Sequence, residues 1–170
     1  MYKTHTCGEL RAAHAGQRVD LAGWVHNYRT FGGVVFLVLR DRFGITQVVT
    51  NPSEFPDAAR LIESLKNEWV VQVRGMVRLR PQDQYNPKMP TGEIEVEARE
   101  VIILNQAKTM PFVGNRDDEE VDENIRLKYR YLDLRHERMK RNLVLRHEGI
   151  LFMRKYLSER GFIEVETPTL

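Results

Sequence analysis

Aliphatic positions alternate with mixed polar and aromatic ones along residues 19–26, with Val19, Leu21, Gly23 and Val25 on one side and Asp20, Ala22, Trp24 and His26 on the other. A period of two places successive side chains on opposite faces of an extended strand. Gly32 and Gly33 then mark a turn, residues 34–40 are almost continuously apolar, Phe43 and Gly44 turn again, and 45–50 form a third run rich in branched residues. Strict parity in the first strand would point Arg29 inward. A bulge or bend near residues 27–30 would return it to the outer face.

Three strands in quick succession leave an edge for later strands to close. Pro56 and Asp57 open a helix, and Ala58, Leu61, Ile62 and Leu65 recur at helical spacing as a plug for one end of a barrel. Residues 68–79 and 93–104 supply two more strands. In the fourth, Val71, Val73, Gly75, Val77 and Leu79 oppose Gln72, Arg74, Met76, Arg78 and Arg80; in the fifth, Ile94, Val96 and Ala98 oppose Glu93, Glu95 and Glu97. The intervening 81–92 is polar, punctuated by proline and too long for a tight hairpin, which makes it a candidate binding loop. This order of elements is that of a five-stranded OB-fold barrel, whose exposed strand face commonly binds oligonucleotides. Residues 7–16, with a short apolar pattern around Leu10 and Ala13, are placed as a cap on it.

Residues 105–123 have no sustained periodicity but contain Pro111, Gly114 and the acidic run Asp117 to Glu120, the signature of a linker. The pattern beyond is helical, with Met139, Leu143, Ile150, Met153 and Leu157 in one apolar stripe that Val144 and Leu151 widen. Gly161 is a helix stop, and Phe162, Ile163 and Val165 open a short strand before Pro168. The expected organisation is a barrel over 1–104, a linker or hinge over 105–123, and the truncated start of a second domain over 124–170. The fold class is mainly β, followed by the helix-plus-strand start of an α+β domain.

The net charge of +2 conceals an uneven distribution: residues 1–104 carry 13 basic and 12 acidic side chains, 105–123 carry 2 and 6, and 124–160 carry 11 and 4. The basic helical region suits a polyanionic partner, although basic helical faces are more often simply solvated. Cys7, the single cysteine, has no intramolecular partner and fits a reducing compartment. The N-terminus has no apolar run suited to a signal sequence, and no segment approaches the roughly 20 apolar residues of a membrane span. A cytoplasmic location with no membrane partner is expected.

No complete catalytic constellation is visible. There is no G-x-S-x-G, P-loop or C-x-x-C, and the five histidines lack metal spacing, so no catalytic or metal-binding residue is assigned. His147 lies on the apolar stripe and is expected to pack there. The binding candidates are stronger. Phe36 offers a face on which a base stacks, although on a strand apolar on both faces composition alone favours the core. Arg29 suits phosphate or a base edge, against an ordinary surface arginine. Gln47 has donors and an acceptor for a pyrimidine edge, against a solvated strand glutamine. Glu95, beside a groove for nucleic acid, is repelled by phosphate and serves mainly to accept hydrogen bonds from a base such as guanine; the alternative is an exposed glutamate in a row with Glu93 and Glu97.

The stretches LAGWVHNYRTFGGVVFLVLRDRFGITQVV, TGEIEVEA, RLKYRYLDLR and GFIEVETPTL together resemble the N-terminal part of bacterial-type aspartyl-tRNA synthetases, over essentially the whole chain. RLKYRYLDLR is the most specific of them, and GFIEVETPTL looks like motif 1 of the class II synthetases. The resemblance implies an anticodon-binding OB-fold, a hinge, and the start of a class II catalytic domain in which the long helix and following strand build a dimer interface near Pro168. It further implies that Phe36 stacks on the central anticodon base, that Arg29 and Gln47 help recognise bases, and that Glu95 recognises the guanine at the first anticodon position. The loop 82–86 would lie near the same bases. At Asn27 and Tyr28, where the family commonly has more arginine, phosphate attraction would be weaker.

The parent enzyme implied by the resemblance is a homodimer that uses ATP and Mg2+ to activate aspartate and transfers it to aspartate tRNA, or also to asparagine tRNA. Phe31 and the loop 82–85 bear on that choice. Motifs 2 and 3 are absent, so the segment alone is expected to be inactive and to bind neither ATP nor Mg2+. Three other readings compete: a stand-alone synthetase-derived tRNA-binding module, the matching segment of an asparaginyl- or lysyl-tRNA synthetase, and a general single-strand binder, for which the near-neutral barrel is a poor match.

Overall fold

Five strands, β1 (Arg18–Phe31), β2 (Val34–Asp41), β3 (Gly44–Thr50), β4 (Val70–Leu79) and β5 (Ile94–Asn105), close into a barrel in the order β1-β2-β3-β5-β4. The computed structural model describes residues 2–112 and 121–168. β1 is long enough to pair twice: its first half runs antiparallel to β4 and its second half antiparallel to β2. Among the described residues β3 and β5 make the one parallel pairing, through Val48 and Val96, and complete the ring. Closure leaves the barrel strands without a long free edge.

Alternation decides what fills the interior. Val19, Leu21, Val25, Val35, Leu37, Leu39, Val48, Val71, Val73, Val77, Ile94, Val96 and Ala98 are all buried in one cluster. α1 (Pro56–Ser64) adds Ala58, Ala59 and Ile62, joined by Leu65 just beyond its end, while Leu61 packs against the cluster from a half-buried position. This is the expected plug. Cys7 and Leu10 join the same core, so the N-terminal segment caps the barrel, with one 3-10 turn at Ala12–His14. Asp41, buried at the end of β2, ties this cap to the β2–β3 turn. It accepts from the Cys7 backbone N–H at 3.0 Å and the Phe43 N–H at 2.8 Å, and pairs with Lys3 at 3.1 Å.

β4 begins two residues later than the sequence pattern suggests because Glu68 adopts a left-handed backbone with φ of 66°. Its carboxylate pairs with Arg40 at 2.6 Å.

The chain divides into two units, Met1–Met110 and Pro111–Leu170. In the second, the helical stretch is broken into α2 (Glu123–Lys128), α3 (Arg130–Asp133) and α4 (Glu137–Ser158). Asp122 caps α2 by accepting from the Asn124 N–H at 2.9 Å. Asp133 is fully buried and binds two arginines, Arg126 through Nε at 2.8 Å and Arg130 through Nη1. This accounts for the spacing in RLKYRYLDLR: two cations converge on one carboxylate across two short helices. Burial pushes the Asp133 carboxyl up, but the Arg126 hydrogen bond and the charges of Arg126, Arg130 and His136 outweigh it and hold it below the usual range.

Gly161, with φ of 83°, ends the long helix as expected. The Phe162 N–H reaches the Leu157 carbonyl and the Gly161 N–H the Ser158 carbonyl, the paired bonds of a Schellman motif. The strand expected after it does not form: residues 162–168 make no ladder pairing among the described residues, because a strand exists only where another strand satisfies its backbone. The linker's Gly114 and its acidic run Asp117 to Glu120 lie outside the described residues.

Candidate nucleic-acid interface

A bulge in β1 organises the outer face. The register runs Val25 to Leu39 and then Asn27 to Val38, skipping one residue at His26. Beyond it Tyr28 pairs with Leu37, Arg29 with Phe36 and Thr30 with Val35. Val35, Leu37 and Leu39 point into the core, so Phe36 and its partner Arg29 point out. The bend expected near residues 27–30 thus occurs one residue earlier, with the expected effect on Arg29.

Phe36 is half-buried on the outer face, so its core reading fails despite the apolar composition of β2. The Arg29 guanidinium sits 5.4 Å from the Phe36 ring centroid, within cation–π range. On the neighbouring strand Gln47 pairs with Val38, and Val49 with Phe36. The parallel pairing of β3 with β5 then sets Gln47 beside Glu95, and Gln47 Nε2 donates to Glu95 Oε2 at 3.1 Å. Arg29, Phe36, Gln47 and Glu95 therefore lie on one continuous outer surface across β1, β2, β3 and β5. The glutamate row of β5 is not uniformly solvated. Glu97 is buried and paired with Arg78, whereas Glu93 is exposed.

The sequence reading passed over Arg80. Arg74 and Arg78 on β4 and Arg80 just beyond its end look alike in sequence, and their partners separate them. Arg74 pairs with Glu100 at 3.1 Å and Asp20 at 3.8 Å, and Arg78 with Glu97. Arg80 donates from Nε to the Ile94 carbonyl at 2.9 Å, while its Nη2 is buried with no hydrogen-bond partner. Burial lowers its pKa, Glu95 opposes that and Arg29 adds to it, so the guanidinium feels both residues of the candidate site.

The loop over 80–93 is built rather than slack. The Arg80 N–H reaches the Glu93 carbonyl at 2.9 Å, the Asn86 N–H the Gly92 carbonyl at 3.2 Å, and the Thr91 hydroxyl the Ile45 carbonyl at 2.7 Å. Any side chain at Gly92 would collide with the Asn86 carbonyl oxygen. Tyr85 on this loop and Phe31 at the β1–β2 turn expose aromatic rings to solvent.

Pro168 belongs to the second unit and is exposed. His147 is exposed too, not packed as expected, because α4 buries none of its residues. Among the described residues no group of three or more His, Cys, Asp and Glu side chains is placed to hold a metal, and no helix is long and apolar enough to cross a membrane.

A closed five-stranded barrel with aromatic, cationic and amide groups on one outer face defines an oligonucleotide-binding architecture. Residues 19–104 match the OB-fold nucleic acid binding domain family, and the chain belongs to it. Residues 122–170 match the tRNA synthetases class II (D, K and N) family. The chain is 49% identical over 170 residues to an aspartate–tRNA(Asp/Asn) ligase of Dictyoglomus turgidum, and 53% identical over 169 residues to one of Rubrobacter xylanophilus. These matches cover 100% and 99% of the chain but only 28% of either relative. The asparaginyl-tRNA synthetase of Pyrococcus horikoshii superposes with a TM-score of 0.84 at 25% identity, over 99% of this chain and 38% of that one.

Proposed function

We propose that this chain is the N-terminal, anticodon-reading part of an aspartate–tRNA ligase, and that its partner is aspartate tRNA together with asparagine tRNA. The printed name of the relatives, which couples Asp and Asn, supports the dual partner. The observation that carries the reading is the alignment of Arg29, Phe36, Gln47 and Glu95 on one face of the barrel.

A splayed anticodon loop exposes ring faces and base edges, the features that sequence-specific RNA readers use. Phe36 stacks the central base, with Arg29 shifting to the flanking backbone or base edge. Gln47 supplies amide groups to a pyrimidine edge. Glu95 accepts from guanine at the first position, and its bond to Gln47 orients the carboxylate for this.

Aspartate activation and transfer belong to the whole enzyme, a cytoplasmic homodimer whose dimer contact includes the region of Pro168. ATP and Mg2+ serve that reaction in the whole enzyme.

The test is binding of the chain to anticodon stem-loops carrying GUC, GUU and UUU at fixed salt. Comparable binding of GUC and GUU, with UUU rejected, is expected. Phe36→Ala should weaken both cognate loops by about 10- to 100-fold, the loss of one stacked base. Indifference to all three loops would leave only a generic barrel.

A further inference from the structure

We infer that Arg80 is a specificity-determining residue, donating from its guanidinium to O6 of the same guanine whose N1–H and N2–H groups Glu95 accepts. The inference rests on the anticodon reading above and adds to it a second half of the base contact.

Three observations converge on Arg80. Its Nε is fixed on the Ile94 carbonyl, immediately before Glu95 in β5, so the fork is held at the strand that carries the acceptor. Its Nη2 is buried and lacks a hydrogen-bond partner, whereas the neighbouring outward arginines Arg74 and Arg78 both have carboxylate partners. Its backbone closes the loop 80–93 through the Glu93 carbonyl, which places it at the root of the candidate binding loop. Burial lowers its pKa, and the charges of Glu95 and Arg29 both act on the guanidinium, which agrees with its lying near those two residues.

An arginine donor beside a glutamate acceptor is a complementary array with a definite preference among bases. Guanine alone presents two adjacent donors, N1–H and N2–H, together with the O6 acceptor on its pairing edge. Adenine offers an N1 acceptor where guanine has a donor, and the pyrimidines offer a single donor each. A donor with no acceptor in the free protein gains one when guanine displaces whatever shields Nη2 from solvent. A phosphate contact would satisfy the same N–H but would not distinguish bases.

The experiment uses the full 170-residue chain with stem-loops differing only at the first anticodon position: guanine, inosine, which lacks the N2 amino group, and 2-aminopurine, which lacks O6 and N1–H. Wild type, Arg80→Ala and Arg80→Lys are compared, with thermal melting to verify folding. Wild type is expected to prefer guanine over 2-aminopurine by roughly 100-fold, and Arg80→Ala to narrow that ratio by about tenfold while leaving the guanine-to-inosine ratio unchanged. Arg80→Lys, which keeps the charge without the fork, should narrow it to an intermediate extent. Equal weakening of all three loops in the variants would make Arg80 a phosphate contact and overturn the inference, as would an unchanged 2-aminopurine ratio. A wild-type chain blind to all three bases would overturn the anticodon reading itself. Arg80→Lys keeps the charge and the aliphatic stem, so it carries the test if Arg80→Ala melts early.

Discussion

The barrel and the long helix draw on the same aliphatic and aromatic side chains and treat them in opposite ways. The barrel closes its own hydrogen bonds and so encloses Leu21, Leu37, Leu39 and Ile94 completely. α4 satisfies its backbone alone yet leaves Leu145, Leu151, Phe152 and Met153 in solvent. A helix with apolar residues on more than one side needs surfaces beyond itself. The contrast teaches that local hydrogen bonding and hydrophobic burial are separate requirements: one unit meets both within this chain, and the helix meets only the first.

The contrast can be broken most sharply by truncating one leucine in each unit. Leu37→Ala, at a site with 0% exposure, should cost about 2–5 kcal/mol in urea denaturation of the barrel. Leu145→Ala, at 69% exposure, should change stability by no more than about 0.5 kcal/mol. Similar losses at the two sites would show that α4 is covered in solution.

A smaller effect is expected at Asp133, the polar anchor of the helical unit. Asp133→Asn should destabilise α2 and α3 by roughly 1–3 kcal/mol, since it weakens both arginine contacts. The wild-type carboxyl is held below its usual range, so its stabilisation is complete above the unfolded-state pKa and is lost as pH falls through the folded value. Helical circular dichroism on acidification should therefore fall in wild type and be flatter in the variant. A variant with the same acid transition would assign that transition to another group.

The smallest effect is chemical rather than energetic. Burial raises the Cys7 thiol well above its usual range, with the Asp41 charge adding to it, so almost no thiolate forms at neutral pH. Native chain should react with iodoacetamide far more slowly than chain in denaturant. Equally fast labelling would mean that the N-terminal cap opens freely.

Period-two alternation was enough to place the strands to within one or two residues, and helical spacing identified Ala58, Ile62 and Leu65 as the plug. Where sequence reasoning slipped, the deciding factor was non-local. Glu68 bends by a backbone angle that no side-chain pattern reports. Residues 162–168 carry strand-forming side chains, but pairing needs a neighbour. Phe36 sits in an apolar run, and only the register with Arg29 and Val49 shows which way it faces. Arg80 was visible as a cation on the outer face, yet it is set apart from Arg74 and Arg78 by the carboxylates those two find.

The bulge at His26 makes the chemistry of the outer face depend on counting. Deleting His26 would remove only the extra residue and leave Arg29 opposite Phe36; pairing every residue of β1 without a bulge would instead restore strict parity, turn Arg29 toward the interior and bring Tyr28 out beside Phe36. Every amino acid of the face would still be present, in the same order, and the surface they compose would be a different one. Substitutions can tune this face gradually, but a slip in pairing rewrites it at once, so the face depends on the count of residues between the bulge and the Gly32-Gly33 turn.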